Sequence, residues 1–257
     1  MPITAVILDW AGTAVDHGSL APVRTLQKVF SMRGIAVSEE EARRDMGIPK
    51  RDHIRALLAL KRGGPPAEAD VDDLYAAFIP MQMACLEEYA TVIPGVAEMA
   101  GRLRERGIKI GSTTGYTRPM LDVLLARAAA QGYTPDCALC PEDAGGGRPA
   151  PWMCYLSAIR LGTYPMHTMV KIGDTISDIE EGRNAGMWTV AVARTGNMIG
   201  LSETDFAALA PAAQVTLVQS ARARLHDAGA EFVIDSAADF DPLVDEIEAR
   251  LAKGLRP

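Results

Sequence analysis

The stretch Ile3-Thr4-Ala5-Val6-Ile7-Leu8-Asp9-Trp10-Ala11-Gly12-Thr13 constrains this chain more than any other. A short apolar run, rich in β-branched residues and nearly free of charge, stops abruptly at a carboxylate, a glycine and a hydroxyl. Runs of that kind are strands covered on both faces of a parallel sheet. Asp9 then stands at the strand's carboxyl end, where open α/β sheets place their ligand crevice. Gly12 lets the backbone curl close to a bound anion with no Cβ in the way. Taken alone, the same residues are equally a plain turn.

A second loop tips the balance. Met169-Val170-Lys171-Ile172-Gly173-Asp174-Thr175-Ile176-Ser177-Asp178 again runs from a strand into acids, and a helix follows over Ile176 to Ala185 with Gly186 as its left-handed stop. Two strands that each deliver a carboxylate to one end of a sheet make a hard, oxygen-lined site suited to Mg²⁺. An early DxxxT with a late GDTxSD resembles the haloacid dehalogenase superfamily. That resemblance implies that Asp9 is a nucleophile, usually on phosphorus.

Composition excludes several other classes. The chain has 257 residues, 48% hydrophobic and 23% charged, enough for one large domain and a smaller one. A formal net charge of -7 argues against nonspecific nucleic-acid binding. No apolar run approaches a membrane span, and the start has neither a basic segment nor a small-residue cleavage pattern, so a cytoplasmic enzyme is the default. Four cysteines, Cys85, Cys137, Cys140 and Cys154, are too few and too scattered for a disulfide framework. The single CxxC of Cys137 and Cys140 lacks the second pair that zinc wants, and both thiols are expected to be buried.

Between Thr13 and Pro94 the pattern is helical. Ala21 to Met32 carries Val23, Leu26, Val29 and Phe30 at helical spacing, Ser38 with Glu41 forms a capping box, and Pro49 to Leu60 and Asp70 to Tyr89 read as further helices. Strands and helices then alternate: helix Gly95 to Arg106, strand Ile108 to Thr114, helix Pro119 to Gln131, a short strand at Cys137 to Leu139, helix Trp152 to Leu161, and a strand at Trp188 to Val192. A helix over Ala212 to Ala228, a strand at Glu231 to Ile234 and a helix over Phe240 to Leu251 finish the chain. The fold class is α/β: a doubly wound, Rossmann-like parallel sheet (1–17 and 93–257) with a helical insert (18–92) after the first strand. The superfamily resemblance makes that insert a C1 cap closing over the nucleophile's loop, where it excludes water.

The chemistry-bearing residues cluster in the loops. Thr114 stands at the end of the second core strand, where the superfamily places a hydroxyl on a phosphoryl oxygen; neighbouring Ser112 and Thr113 leave the register open by one. Arg148 follows a glycine run where the superfamily more often has lysine, and its guanidinium can hold the nucleophile and clamp two phosphoryl oxygens. Ala11 is the informative departure. Most of the superfamily's phosphatases carry a second aspartate there as general acid, and alanine offers only its backbone carbonyl, to a metal. The insert supplies an alternative in Met46-Gly47-Ile48-Pro49-Lys50-Arg51-Asp52-His53. Lys50 begins a helix, where the dipole, Arg51 and burial on closure all disfavour an ammonium. A neutral lysine can attack an aldehyde and form a Schiff base. His53, three residues on, lies on much the same helix face and is a candidate proton carrier.

Asp9-Trp10-Ala11-Gly12-Thr13, Met46-Gly47 with Lys50, Gly115-Tyr116, Gly147-Arg148-Pro149, Trp152-Met153-Cys154-Tyr155 and the run from Gly173 to Thr189 together resemble the phosphonoacetaldehyde hydrolase family. The resemblance implies a small-molecule substrate, phosphonoacetaldehyde, with Mg²⁺ as cofactor. It implies an imine on Lys50, attack of Asp9 on phosphorus, and Asp9, Ala11 and Asp174 around the metal, with Asp178 and Thr13 behind them. Thr114, Gly115, Tyr116, Arg148, Met46 and Ser19 are then substrate-facing. Members are commonly homodimers joined through their caps, which the apolar face of helix 21–32 would permit. Two other readings stay open: a haloacid dehalogenase or other phosphatase of the superfamily, and a binding protein on a dead catalytic core. Phosphate release from phosphonoacetaldehyde separates all three.

Overall fold

A computed structural model describes residues 2–257. After strand β1 (Ala5–Leu8) come helices α1 (Leu20–Ser31), α2 (Glu39–Arg44), α3 (Lys50–Arg62) and α4 (Glu68–Leu86). Then follow α5 (Val96–Glu105), β2 (Lys109–Thr113), α6 (Arg118–Ala129), β3 (Cys137–Leu139), α7 (Pro141–Ala144) and α8 (Trp152–Leu161). The last part holds β4 (Met169–Gly173), α9 (Ile176–Ala185), β5 (Trp188–Val192), α10 (Glu203–Ala207), α11 (Pro211–Asp227), β6 (Phe232–Ile234) and α12 (Asp241–Ala252). The short helices α7 and α10 have too few residues for a periodic signal and were not expected from the sequence.

All six strands are parallel, in the order β3-β2-β1-β4-β5-β6. This is a doubly wound order whose direction of winding reverses between β1 and β4, and a crevice opens at that point beyond the strands' carboxyl ends. Alternation along β1 divides its side chains between two layers. Val6 and Leu8 join a large core with Met99, Leu103, Ile110 and Phe240. Ala5 and Ile7 join another with Met153, Cys154, Ala158 and Leu161 of α8. Both faces of the sheet are therefore covered, which is what the charge-free first strand requires.

Helices α1–α4 form one insert. Helix α1 packs on α2 and α4, and α3 packs on α4. Ser38 closes the expected capping box with Glu41 at the start of α2. The chain leaves the sheet layer and returns to it side by side: Val15 bridges Val92, and the Ile93 N–H donates to the Ala14 carbonyl at 2.9 Å. One expectation needs correcting. The apolar face of α1 is not free for a second copy, because Leu20, Val23, Leu26, Val29 and Phe30 are all buried within this chain. Among the described residues, no helix is long and apolar enough to cross a membrane. Cys137 and Cys140 are buried, as expected, and Cys140's thiol is pushed up to about 12, first by burial.

Candidate active site

The site begins at the reversal point. Asp9, just past β1, donates its N–H to the Ile172 carbonyl at 2.9 Å, and Asp174 follows β4 directly alongside. Carboxylate oxygens of Asp9, Asp174 and Asp178 all lie within 4.8 Å of one another, and all three residues are buried. Gly12 sits at φ +84°, and a Cβ there would lie 2.2 Å from Asp174 Oδ2, so only glycine lets the turn pass this carboxylate. Thr13 donates its hydroxyl to Asp174 Oδ1 at 3.2 Å, and the Asn197 N–H donates to Oδ2 at 2.7 Å.

Behind the acids lies a buried ionic network. Arg148 reaches Asp9 at 2.6 Å, Asp178 at 3.0 Å and Glu181 at 3.0 Å, and Lys171 reaches Asp178 at 2.8 Å and Glu181 at 3.2 Å. Arg148 also donates to the Thr113 carbonyl at 2.8 Å and hydroxyl at 2.9 Å. Nε and Nη2 are thereby taken up within the network, and Nη1, 3.0 Å from Asp178, makes no hydrogen bond among the described residues, so Arg148 holds the nucleophile. Burial pushes Asp178 up, and Arg148 with Lys171 outweighs it and holds the carboxyl below its ordinary value. Asp174 has no such cation: burial, then Asp9 and Asp178, raises it well above the usual range. Asp9 is also raised by burial, against the pull of Arg148. Four buried carboxylates (Asp9, Asp174, Asp178, Glu181) face two buried cations (Arg148, Lys171). Fully ionised, the network carries two surplus negative charges, and one divalent cation on hard oxygen donors neutralises them. The residues present therefore fit Mg²⁺.

The helical insert closes over these acids. Lys50, Met46, Gly47, Ser19 and Pro22 from the insert side share one pocket with Asp9, Ala11, Thr114, Gly115, Tyr116, Arg148 and Thr175. The seam is tight. A Cβ on Gly47 would lie 2.2 Å from Ser177 Oγ, one on Gly115 would lie 2.8 Å from the Gly47 and Ile48 carbonyls, and Ser177 donates its hydroxyl to the Met46 carbonyl at 3.1 Å. Lys50 is the first residue of α3 and is 5% exposed. Its Nζ donates to Met46 Sδ at 3.5 Å and lies 5.7 Å from the centre of the Tyr116 ring. Burial lowers its pKa to about 8, against the raising pull of Asp9 and Asp174 and with help from Arg148. Arg51, expected to assist, turns away to Glu68 at 2.6 Å and Asp72 at 2.7 Å on the outer surface.

Most of the residues expected at the site meet there. Asp9, Ala11, Ser19, Met46, Lys50, Thr114, Gly115, Tyr116 and Arg148 all line the pocket. The register beside Thr114 also resolves, because β2 ends at Thr113, whose hydroxyl is taken by Lys171 at 2.9 Å and by Arg148, leaving Thr114 to the pocket. Asp174, Asp178 and Thr13 stand behind the wall, Thr13 donating to Asp174 and Asp178 accepting from the Thr175 hydroxyl at 2.5 Å. His53 is not on the wall. It is fully buried one turn along α3 from Lys50, burial and then the Lys50 charge hold it well below its ordinary value, and neither ring nitrogen makes a hydrogen bond. The Ala42 backbone approaches the ring without reaching hydrogen-bond geometry. Lys171, Glu181, Thr175, Pro22 and Asn197 were missed. A lysine inside the otherwise apolar strand Met169–Gly173, and Glu181 three residues after Asp178 on one helix face, were the available signals.

Comparison with known proteins agrees with this geometry. The family model described as haloacid dehalogenase-like hydrolase matches residues 3–186. The chain is 48% identical to the phosphonoacetaldehyde hydrolase of Nitratidesulfovibrio vulgaris, covering 100% of this chain and 95% of that protein. It is 46% identical to that of Bacillus anthracis, covering 96% and 97%. The crystal structure of a phosphonoacetaldehyde hydrolase-like protein from Oleispira antarctica superposes with a TM-score of 0.96 at 40% identity, over 100% of this chain and 96% of that one. The chain belongs to the haloacid dehalogenase-like hydrolases and, among them, to the family of the phosphonoacetaldehyde hydrolases.

Proposed function

We propose that this protein is a phosphonoacetaldehyde hydrolase that cleaves the carbon–phosphorus bond of phosphonoacetaldehyde through an imine on Lys50 and an aspartyl phosphate on Asp9. One observation carries the reading: a lysine amine and a core carboxylate line the same pocket, while the position two residues past that carboxylate is Ala11. Expelling a carbanion from phosphorus is far harder than expelling an alkoxide, and a general acid at position 11 would not repair it. A protonated imine on the adjacent carbon does, by accepting the electron pair.

The steps follow from the chemistry. Neutral Lys50 attacks the aldehyde carbon, and uptake of one proton with loss of water leaves an iminium. An oxygen of Asp9 attacks phosphorus, the C–P bond breaks, and its electron pair passes into the iminium to give an enamine. Protonation at carbon and hydrolysis of the imine release acetaldehyde and the Lys50 amine. Water attacks the aspartyl phosphate and releases phosphate. Arg148 keeps Asp9 aimed at the pocket at 2.6 Å, and the Thr114 hydroxyl faces the phosphoryl oxygens. Asp9, Asp174 and the Ala11 carbonyl would hold Mg²⁺, with Asp178 and Thr13 orienting them. Bound there, the ion supplies positive charge for the phosphoryl oxygens as charge moves onto them.

Residues 18–92 act as the cap in this reading, and 1–17 with 93–257 as the core. His53, buried and neutral beside Lys50 with both nitrogens unpartnered, is the proton carrier for imine formation. A cytoplasmic homodimer, with contacts other than the apolar face of α1, follows the family resemblance. The direct test is phosphate release from phosphonoacetaldehyde by the purified protein with Mg²⁺. Production of phosphate and acetaldehyde in equal amounts supports the function, and no release refutes it.

A further inference from the structure

The loop from Arg194 to Leu201, after β5, touches three parts of the molecule at once. Asn197, within it, is 3% exposed. Its backbone N–H donates to Asp174 Oδ2 at 2.7 Å, its side-chain amide donates to the Arg43 carbonyl at 3.1 Å, and its amide oxygen accepts from Arg43 Nη1 at 3.1 Å. Arg43, on α2 of the cap, also donates to the Gly18 carbonyl at 2.8 Å and to the Gly200 carbonyl at 2.9 Å, and Glu39 holds its outer edge at 2.7 Å. The loop and the cap junction are tied again by the Gly18 N–H on the Thr195 carbonyl at 2.7 Å. Thr195 in turn donates its hydroxyl to the Gly12 carbonyl at 2.8 Å. A Cβ on Gly200 would lie 2.4 Å from the guanidinium carbon, so the cap's arginine lies flat on bare backbone.

We propose that Asn197 and Arg43 form a latch through which cap closure and Mg²⁺ binding favour each other. The inference deepens the reading of the helical insert as a closing cap and rests on it. One residue has its main chain on Asp174 and its side chain on the cap, so the loop cannot shift without disturbing both. A cap that swings away removes Arg43 from Asn197, Gly18 and Gly200 together, and the N–H held on Asp174 loses the ties that fix it. A cation that holds Asp174 in its closed orientation therefore favours the closed cap, and closure favours the cation to the same extent. Neither Asn197 nor Arg43 lines the substrate pocket, and both are positioning residues.

Amide hydrogen exchange on the whole protein, with Mg²⁺ alone as the probe, tests this without turnover. Mg²⁺ is expected to slow exchange over residues 43–50 by about tenfold in the wild type, within the usual range of coupling between sites. Asn197→Ala and Arg43→Met bring the slowing below about twofold, and Arg43→Lys recovers part of it. Calorimetry on Arg43→Met should show Mg²⁺ affinity weakened by a similar factor, although Arg43 touches none of the three carboxylates. Slowing as large in both variants as in the wild type, no slowing in the wild type, or unchanged Mg²⁺ affinity in Arg43→Met would each overturn the latch. If Asn197→Ala does not fold, the two Arg43 variants carry the test from the cap side. Absence of phosphate release by the wild type would sink the proposed function and leave the exchange result standing.

Discussion

Acidification should drain the enzyme's activity through one group, the Lys50 amine. With its pKa lowered to about 8 by burial, roughly a tenth of the lysine is neutral at pH 7. At the ordinary value of about 10.4 only about one molecule in 2,500 would be. The pocket therefore raises the supply of reactive amine by more than about a hundredfold at neutral pH, most of it through desolvation. Because kcat/KM reports the free enzyme, its acidic limb should bend near pH 8 and fall about tenfold per pH unit below that. The assay is initial phosphate release at low substrate from pH 6 to 9.5, in buffers that lack amines. A limb still rising steeply at pH 9.5, or a flat profile down to pH 6, would refute the argument that burial prepares the nucleophile.

Three further outcomes follow. Lys50→Met abolishes turnover yet stabilises the fold. The unfolded lysine holds its proton up to its ordinary pKa and the folded one only to about 8, so the penalty is complete below pH 8 and fades as pH rises toward 10. At pH 7 the gain is up to about 3 kcal/mol in denaturant titration, and no gain would contradict the burial of an unpaired ammonium. Gly115→Ala puts a methyl 2.8 Å from two cap carbonyls and should cut kcat/KM by roughly 10- to 100-fold while thermal stability stays near wild type; unchanged kinetics would mean that the seam need not close. His53→Leu removes two unpartnered nitrogens, so it should leave stability equal or higher while kcat falls by about a hundredfold. Intact turnover there would reduce His53 to core packing.

The parts legible in the sequence were those carried by local pattern. A charge-free run ending in Asp9, a second ending in Asp174, and a helical block between them fixed the sheet's winding and the crevice, because strand burial and loop chemistry are both written in consecutive residues. Lys50 was found through the gap that Ala11 leaves, but the cause of its low pKa was only partly foreseen. The burial that dominates comes from tertiary closure, while Arg51, adjacent in sequence, is spent on Glu68 and Asp72. Arg148 shows the same limit. Its hold on the nucleophile was foreseen, whereas its partners Glu181 and Thr113, from elements 33 and 35 residues away in the chain, were not. Asn197 carried no motif at all, since its importance lies in what its main chain and side chain touch.

Trapping the covalent intermediate tests the central claim most directly. Borohydride added to the enzyme with phosphonoacetaldehyde should inactivate it and leave a reduced two-carbon adduct on Lys50, found by peptide mapping. Lys50→Arg should take up none. Full phosphate release with no adduct on Lys50, or equal adduct in the Lys50→Arg protein, would contradict the account.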